Sequence, residues 1–479
     1  MKLHTEIEKI MADTETPVSM YLKLRDKYLK PLLLESSDYN SKEGHYSYIG
    51  LNPIAEITLQ DNVLSKKVLD QSSSENILTD KLNVLSQLKD FKNQFEFESF
   101  NYKFSYAGLF GYTGYDAIPH FEDIEFKKNK TLHIPELYYA IYSLILIFDH
   151  NNCNLYIASH STDKTQSKEQ IEDIKQYIKY GKIQYHSFEA EENVSVNYTD
   201  NEFKSLITKA KENCANGDVF QLVLSKRFSQ NFKGDEFNVY RTLRNINPSP
   251  YLFYFDLGSF KIFGSSPEAQ LVVTKNIAEI HPIAGTYKRT GNDHEDELRA
   301  SELLADEKEQ AEHMMLVDLA RNDLNKYCKN VKLAFLKQTQ FYSHVIHLVS
   351  KVTGLLRKGI HPFDILTGTF PAGTLSGAPK HRAMQLIDGY ENDSREFYGG
   401  CIGFISHDDQ LNHAIMIRTF LSKDYTLYYQ AGAGVVISSS EESENNEVHH
   451  KISVLQKAIE QAKQINNNQK LKQHETASA

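Results

Sequence analysis

The sequence predicts a soluble protein of mixed helices and strands, organised in two large regions. Three observations carry that reading. At 479 residues the chain exceeds what one compact core usually serves. Its hydrophobic content of 41% and charged content of 24% are those of an ordinary globular protein. Short apolar runs closed by Gly, Pro or Asn alternate with stretches of strong helix formers. The longest apolar run, residues 138–148, is too short to span a bilayer and reads as a buried strand. The start of the chain, Met-Lys-Leu-His-Thr-Glu-Ile-Glu, has no secretory apolar core. The four cysteines, Cys153, Cys214, Cys328 and Cys401, show no paired spacing, which fits a reducing compartment. A cytosolic protein without a membrane partner is expected. The net charge of −10 and the lack of a basic aromatic stripe argue against nucleic acid, and an anionic substrate would need a locally positive pocket.

Residues 1–190 read as a strand-rich scaffold. Thr16-Pro-Val-Ser opens a short helix, Pro31-Leu-Leu-Leu-Glu-Ser reads as a strand, and Tyr46-Ser-Tyr-Ile-Gly begins another that Asn52-Pro53 should end. Residues 104–116 are aromatic and Gly-spaced, so their glycines mark close backbone approaches. No titratable cluster there points to chemistry. The acidic stretch 188–198 is taken as the boundary, with a second domain at 197–465 and a polar, frayed tail at 466–479.

In the second region Thr199 and Glu202 form a capping box, and the helix they start should stop at Asn216-Gly217. A strand follows in which Gln221 shares a face with Val223 and Ser225; a Gln there is usually a satisfied core amide, and a substrate-facing role is the minority reading. Pro282-Ile-Ala-Gly-Thr should end a strand, offering a backbone N–H and a hydroxyl to an anion. His347 lies on a strand, where a lone His is more often structural than catalytic. Phe370-Pro-Ala-Gly-Thr-Leu-Ser-Gly-Ala-Pro-Lys is a Gly/Pro loop feeding a helix; without a closing Gly-Lys-Ser/Thr it is no P-loop. Gly399-Gly-Cys-Ile-Gly matches the elbow of glutamine amidotransferases but lacks the Gln that should follow, and is set aside as a decoy. Arg418 falls inside an apolar strand and calls for a fixed anion, best a bidentate substrate carboxylate. Gln430-Ala-Gly-Ala-Gly-Val-Val leaves backbone amides uncovered beside it.

Two glutamate pairs organise this region. Residues 306–323 form an uninterrupted helix pattern, apolar nearly all round, and Glu309 and Glu312 project from one face of it. Alone, the pair also reads as the N3 partner of a cap at Asp306 with Glu312 on a wet edge. Glu444 and Glu447 repeat the spacing at the start of a later helix. Two such pairs, all oxygen donors, suit a hard cation such as Mg²⁺ that keeps waters and borrows ligands from an anionic substrate. Glu309 stands where a zinc motif would need its first His, so zinc is not expected.

Taken together, Pro282-Ile-Ala-Gly-Thr, Asp306-Glu-Lys-Glu, Leu316-Val-Asp-Leu-Ala-Arg-Asn-Asp, the 370–380 loop, Ile417-Arg-Thr and Gln430-Ala-Gly-Ala-Gly strongly resemble the chorismate-utilising enzymes. The match runs over most of residues 197–460. It is sparser before that, through Pro17-Val-Ser, Leu33-Leu-Glu-Ser, Tyr46-Ser-Tyr-Ile-Gly and Gly108-Leu-Phe-Gly-Tyr. The resemblance implies an α+β fold of large antiparallel sheets flanked by helices. It implies Mg²⁺ at Glu312 and Glu447 with Glu309 and Glu444 beside them. Chorismate would contact Gly285, Thr286, Tyr398, Arg418, Gly432, Ala433, Gly434 and Lys451.

The resemblance also orders the possible reactions. Family members that add water carry Lys where Gln221 stands, and those that form a covalent intermediate carry Lys where Ala284 stands. Gln221 and Ala284 therefore favour ammonia as nucleophile, with pyruvate elimination to anthranilate. In that scheme Glu309 protonates the departing hydroxyl and His347 assists removal of the C2 proton. The alternatives are amination without elimination, giving aminodeoxychorismate, and a non-catalytic tryptophan-sensing subunit. The matched motifs include no amidotransferase domain, so a separate glutamine amidotransferase subunit is implied. Tryptophan is the implied inhibitor, at Ser36, Pro250, Tyr251 and Leu252. His45 stands where the family commonly has Arg, which bears on the strength of feedback. The chain contains no Trp, so it could be made by a cell starved of that end product.

Overall fold

Nearly every apolar run becomes a strand of one hydrogen-bonded ladder, antiparallel apart from a short parallel contact between Lys2–Met11 and Glu96–Phe97. The computed structural model describes residues 1–36, 45–69, 73–78, 83–341 and 345–477, the side chains at 286, 308 and 466–477 excepted. The expected tail at 466–479 falls on residues whose side chains lie outside this set. From one edge the ladder runs Phe188–Val196, Gln221–Gly234, Thr426–Val435, Thr419–Lys423, Phe260–Ser266, Tyr251–Asp256, Leu32–Glu35 and Tyr46–Gln60. It continues through Leu137–Asp149, Gly108–Thr113, Cys401–Ser406, Leu411–Ile415, Ala269–Thr274, Ile277–Ile280 and Val345–Leu356. Ile283–Lys288 and Cys328–Phe341 both pair with that last strand. Leu32–Glu35 and Gly108–Thr113 each have one neighbour from either half of the chain, so the halves share one sheet system. This is the α+β architecture of large antiparallel sheets and flanking helices that the resemblance implies.

Leu137–Asp149 is buried along its whole length, as an unbroken apolar run requires when both sheet faces are covered. The helix Glu441–Ala477 lies against Thr426–Val435 and the helices Asp200–Ala215 and Phe237–Ile246. Val448, Ile452, Leu455 and Ile459 recur at helical spacing and are fully buried. Each contributes about 1.5–3 kcal/mol by leaving water. That stripe fixes the roll of the helix and sends Lys451 towards the sheet end at Gly432.

Three expectations are corrected. The strand from Tyr46 does not stop at Asn52-Pro53 but runs to Gln60, because Asn52 takes a left-handed φ of 55° and the register shifts between Pro53 and Ala55. The acidic stretch forms the strand Phe188–Val196, whose exposed acidic side chains suit its place at the edge of the ladder. Pro282-Ile-Ala-Gly-Thr begins the strand Ile283–Lys288 rather than ending one. The central helix, Glu307–Tyr327, is buried on one face only: His313, Leu316, Val317, Ala320 and Leu324 point inward, while Asp318, Arg321 and Asn322 face solvent. Among the described residues no helix is long and apolar enough to cross a membrane.

Candidate active site

The helix Glu307–Tyr327 is fixed at its start and along its buried face. Asp306 Oδ1 accepts from the backbone N–H of Glu309 at 3.1 Å, which is the cap the sequence anticipates. One turn on, fully buried His313 hydrogen-bonds through Nε2 to Ser350 Oγ at 2.6 Å. Burial, then the charge of Lys337, holds the His313 pKa down to about 4, so this contact is neutral. With its roll set, the helix turns Glu312 to Gln221, whose Nε2 donates to Glu312 Oε1 at 2.9 Å. Gln221 is thus not a plain core amide. It joins the strand Gln221–Gly234 to an acidic side chain of the expected metal pair.

Gly285 links the second carboxylate to the candidate base. Its φ of 70° lies in the left-handed region, at the register shift between Ala284 and Thr286. A Cβ there would stand 3.2 Å from Glu309 Oε2 and 2.7 Å from Leu303 Cδ1. The bulge turns the Gly285 carbonyl to His347, whose Nδ1–H donates to it at 2.8 Å. That bond makes Nε2 the basic nitrogen of the ring. Burial lowers the His347 pKa, Gly285 works against this and Arg418 reinforces it, so the imidazole is neutral at pH 7. The backbone of Thr286 pairs with His347, and its side chain lies outside the described residues.

Arg418 occupies the joint between Leu411–Ile415 and Thr419–Lys423, not the middle of a strand as expected, and has a φ of 50°. A left-handed non-glycine residue between two strands stores strain of order 1–3 kcal/mol. Its guanidinium makes no ion pair among the described residues. Burial pulls its pKa down, and Tyr398 and Glu447 draw it back up. A cation placed like this is ready for an anion from outside.

The glycine strand supplies the opposite wall. Gly434 lies across from Val223, and a Cβ on it would stand 2.6 Å from Gln221 Nε2. Gly432 lies across from Ser225, and a Cβ on it would stand 2.6 Å from the Leu224 carbonyl oxygen and 3.0 Å from the Tyr398 hydroxyl. Ala433 between them turns its methyl into the core, so only its backbone is available to a ligand. Lys451 Nζ donates to the Gly432 carbonyl at 2.8 Å and pairs with Glu447 Oε1 at 2.5 Å.

The sequence reading missed Glu268. It sits in the break between Phe260–Ser266 and Ala269–Thr274, buried, with Thr374 Oγ1 donating to its two oxygens at 3.2 and 3.4 Å. Burial pushes its pKa up to about 8, against the opposing pulls of Thr374 and Lys451. It therefore holds a proton at pH 7. The signal was a lone carboxylate between two apolar strands with no charge beside it in sequence.

The expected Mg²⁺ ligands offer carboxylate oxygen only, which is the donor chemistry this ion takes. No three His, Cys, Asp or Glu residues converge closely enough among the described residues to hold a metal on their own. An octahedral ion that keeps waters and takes oxygens from its substrate needs no such cage. The donor set therefore fits an ion completed by an anionic ligand. Arg418 supplies the local positive charge that such a ligand requires, while Lys451 is paired with Glu447.

The expected inhibitor residues meet elsewhere. Leu252 pairs with Glu35, and the same antiparallel register carries Ser36 alongside Tyr251. Glu35 accepts from the Tyr240 hydroxyl at 2.6 Å and from Arg244 Nε at 3.0 Å. His45 is buried with its ring 5.3 Å from that of His150.

A wall of glycine backbone, an arginine that makes no ion pair among the described residues and the Gln221–Glu312 bond, on a ladder of this order, point to one class. The chain belongs to the chorismate binding enzyme family, whose model matches residues 34–457. It is 38% identical over 476 residues to anthranilate synthase component 1 of Aquifex aeolicus, covering 96% of this chain and 95% of that one. It is 37% identical to anthranilate synthase component 1 of Acetivibrio thermocellus, over 95% of both. The solved structure of anthranilate synthase component I from Streptococcus pneumoniae matches with a TM-score of 0.77 and 30% identity, over 94% of this chain and 99% of that one. The menaquinone-specific isochorismate synthase of Escherichia coli shares the fold at 18% identity, with a TM-score of 0.74 over 95% of this chain and 94% of that one.

Proposed function

We propose that this chain aminates chorismate at C2 with ammonia and then eliminates pyruvate to give anthranilate. The observation that carries the reading is the Gln221–Glu312 hydrogen bond, which places an amide beside the acidic pair. A lysine at that position has an amine that can be tuned to deprotonate water; an amide has no such proton acceptor. The resemblance of the chain to proteins named anthranilate synthase component 1 supports the same choice.

Arg418 would hold a carboxylate of the substrate, with the Tyr398 hydroxyl and the amides of Gly432 and Gly434 around it. Glu268 gives its proton to the C4 hydroxyl, which leaves as water while ammonia adds at C2. The sequence reading gave this role to Glu309; Glu268 is the better donor because burial keeps it protonated. The new ammonium group sheds a proton that returns Glu268 to its acid form. His347 Nε2 then removes the C2 proton, the C3–O bond breaks, the ring becomes aromatic, and the released enolate is protonated to pyruvate. Glu309, Glu312, Glu444 and Glu447 would hold Mg²⁺, which neutralises the ring carboxylate when bound. A separate glutamine amidotransferase subunit would supply ammonia in the cell. Tryptophan would inhibit from the cluster at Ser36, Pro250, Tyr251 and Leu252.

The test incubates the chain alone with chorismate, Mg²⁺ and ammonium at pH 8. Anthranilate and pyruvate in equal amounts are expected. Aminodeoxychorismate without pyruvate would contradict the elimination step, and the absence of any aminated product would overturn the reading.

A further inference from the structure

Behind the site lies a buried ion pair that the proposed chemistry does not use. Arg395 and Glu391 are one turn apart, with side chains 1% and 4% exposed. Arg395 Nε donates to Glu391 Oε2 at 2.8 Å and Nη2 donates to Oε1 at 2.6 Å, the forked geometry of a strong pair. Taking two charges out of water costs several kcal/mol per ion, and such a pair is weak as a source of stability alone. One face of the guanidinium lies 4.9 Å from the centre of the Tyr115 ring, and the pair's remaining polar contacts lead to the site. Nη2 also donates to the Val223 carbonyl at 2.7 Å, and Nη1 donates to the Leu375 carbonyl at 2.6 Å. Glu391 Oε1 accepts from the backbone N–H and the hydroxyl of Ser225, at 2.8 and 2.7 Å. The guanidinium lies 5.7 Å from the centre of the Tyr398 ring.

The contacts reach three parts of the site. Val223 and Ser225 are two and four residues beyond Gln221 and pair with Gly434 and Gly432. Leu375 follows Thr374, whose hydroxyl holds Glu268. Tyr398 meets Gly432. We propose that Arg395, held by Glu391, is a positioning residue that sets the amide strand, the Thr374–Glu268 pair and Tyr398 in one geometry. The proposal rests on the reaction above. An ångström of misplacement in a site like this costs on the order of 10²-fold in rate.

Two variants test it. Arg395→Lys keeps the charge opposite Glu391 but cannot reach both carbonyls as a fork does. The double variant Glu391→Gln with Arg395→Met removes both charges together, a replacement that tends to be neutral or stabilising. Either should fold with an apparent Tm within about 3 °C of wild type while kcat falls roughly 10- to 100-fold. The second readout is the pH profile of kcat at constant free ammonia. Glu268 faces the Thr374 hydroxyl and the charge of Lys451, and its ionisation should give a limb along which the rate falls as pH rises through about 8. Losing the Leu375 anchor loosens Thr374, whose bond lowers the Glu268 pKa, so the limb should move to higher pH in the variants. A folded variant with wild-type kcat and limb would overturn the proposal. So would a rate lost in step with thermal stability while the limb stays in place. An inactive wild type counts against the reaction; an active wild type with unchanged variants counts against the clamp.

Discussion

The pocket around Arg418 and the cluster around Glu35 are both polar and both sit on the same ladder, yet they treat charge in opposite ways. Glu35 is closed on itself, with the Tyr240 hydroxyl and Arg244 Nε both on its carboxylate. Arg418 makes no ion pair among the described residues, and its charge is opposed by burial. Glu268 likewise carries a buried carboxyl with no ion pair among the described residues, and its pKa rises accordingly. A region satisfied by its own chain can be stable and still respond to a ligand. A region with charge held in reserve is destabilised until an anion arrives, which is where binding energy can act on chemistry.

The largest expected effect comes from removing the reserved charge. Arg418→Met should lower kcat/KM for chorismate roughly 100-fold, the range found when a buried charged partner is truncated. It should also raise the melting temperature, because a desolvated cation that makes no ion pair among the described residues disappears. Steady-state kinetics with a thermal melt checks both. A variant that loses activity and stability together would place Arg418 in the framework instead.

A smaller effect is expected in the closed cluster. Under the proposed inhibition by tryptophan, Tyr251→Ala should raise the concentration needed for half-inhibition about tenfold, in line with an aromatic contact worth about 1–2 kcal/mol. The kcat for chorismate should stay within about twofold. Inhibition curves at fixed chorismate check it, and an unchanged curve would move the tryptophan site away from the Leu32–Glu35 and Tyr251–Asp256 pair.

How far each region was legible follows from the range of its contacts. The Thr199–Glu202 capping box and the cap at Asp306 depend on residues three apart, and both are as read. Arg418 stood out because a cation in an apolar run violates local patterning. Its backbone did not, since the joint between two strands forms only when Gly264 pairs with Thr419. Glu268, Thr374 and the Glu391–Arg395 pair lie in three separate segments with no period linking them, so only the folded register brings them together. The exposed face of Glu307–Tyr327 was misjudged because its two methionines read as core. Met314 and Met315 are only half-buried.

The claim at the centre is that Gln221, donating to Glu312, sets ammonia over water as the nucleophile. Gln221→Lys tests it most directly, with products from chorismate, Mg²⁺ and ammonium resolved by chromatography. The lysine puts a tunable amine beside Glu312 where the amide stood. Ammonia-dependent anthranilate should be lost, with a trace of isochorismate as the water-addition product. Anthranilate at the wild-type rate from the Lys variant would contradict the account and return Gln221 to the role of a core amide.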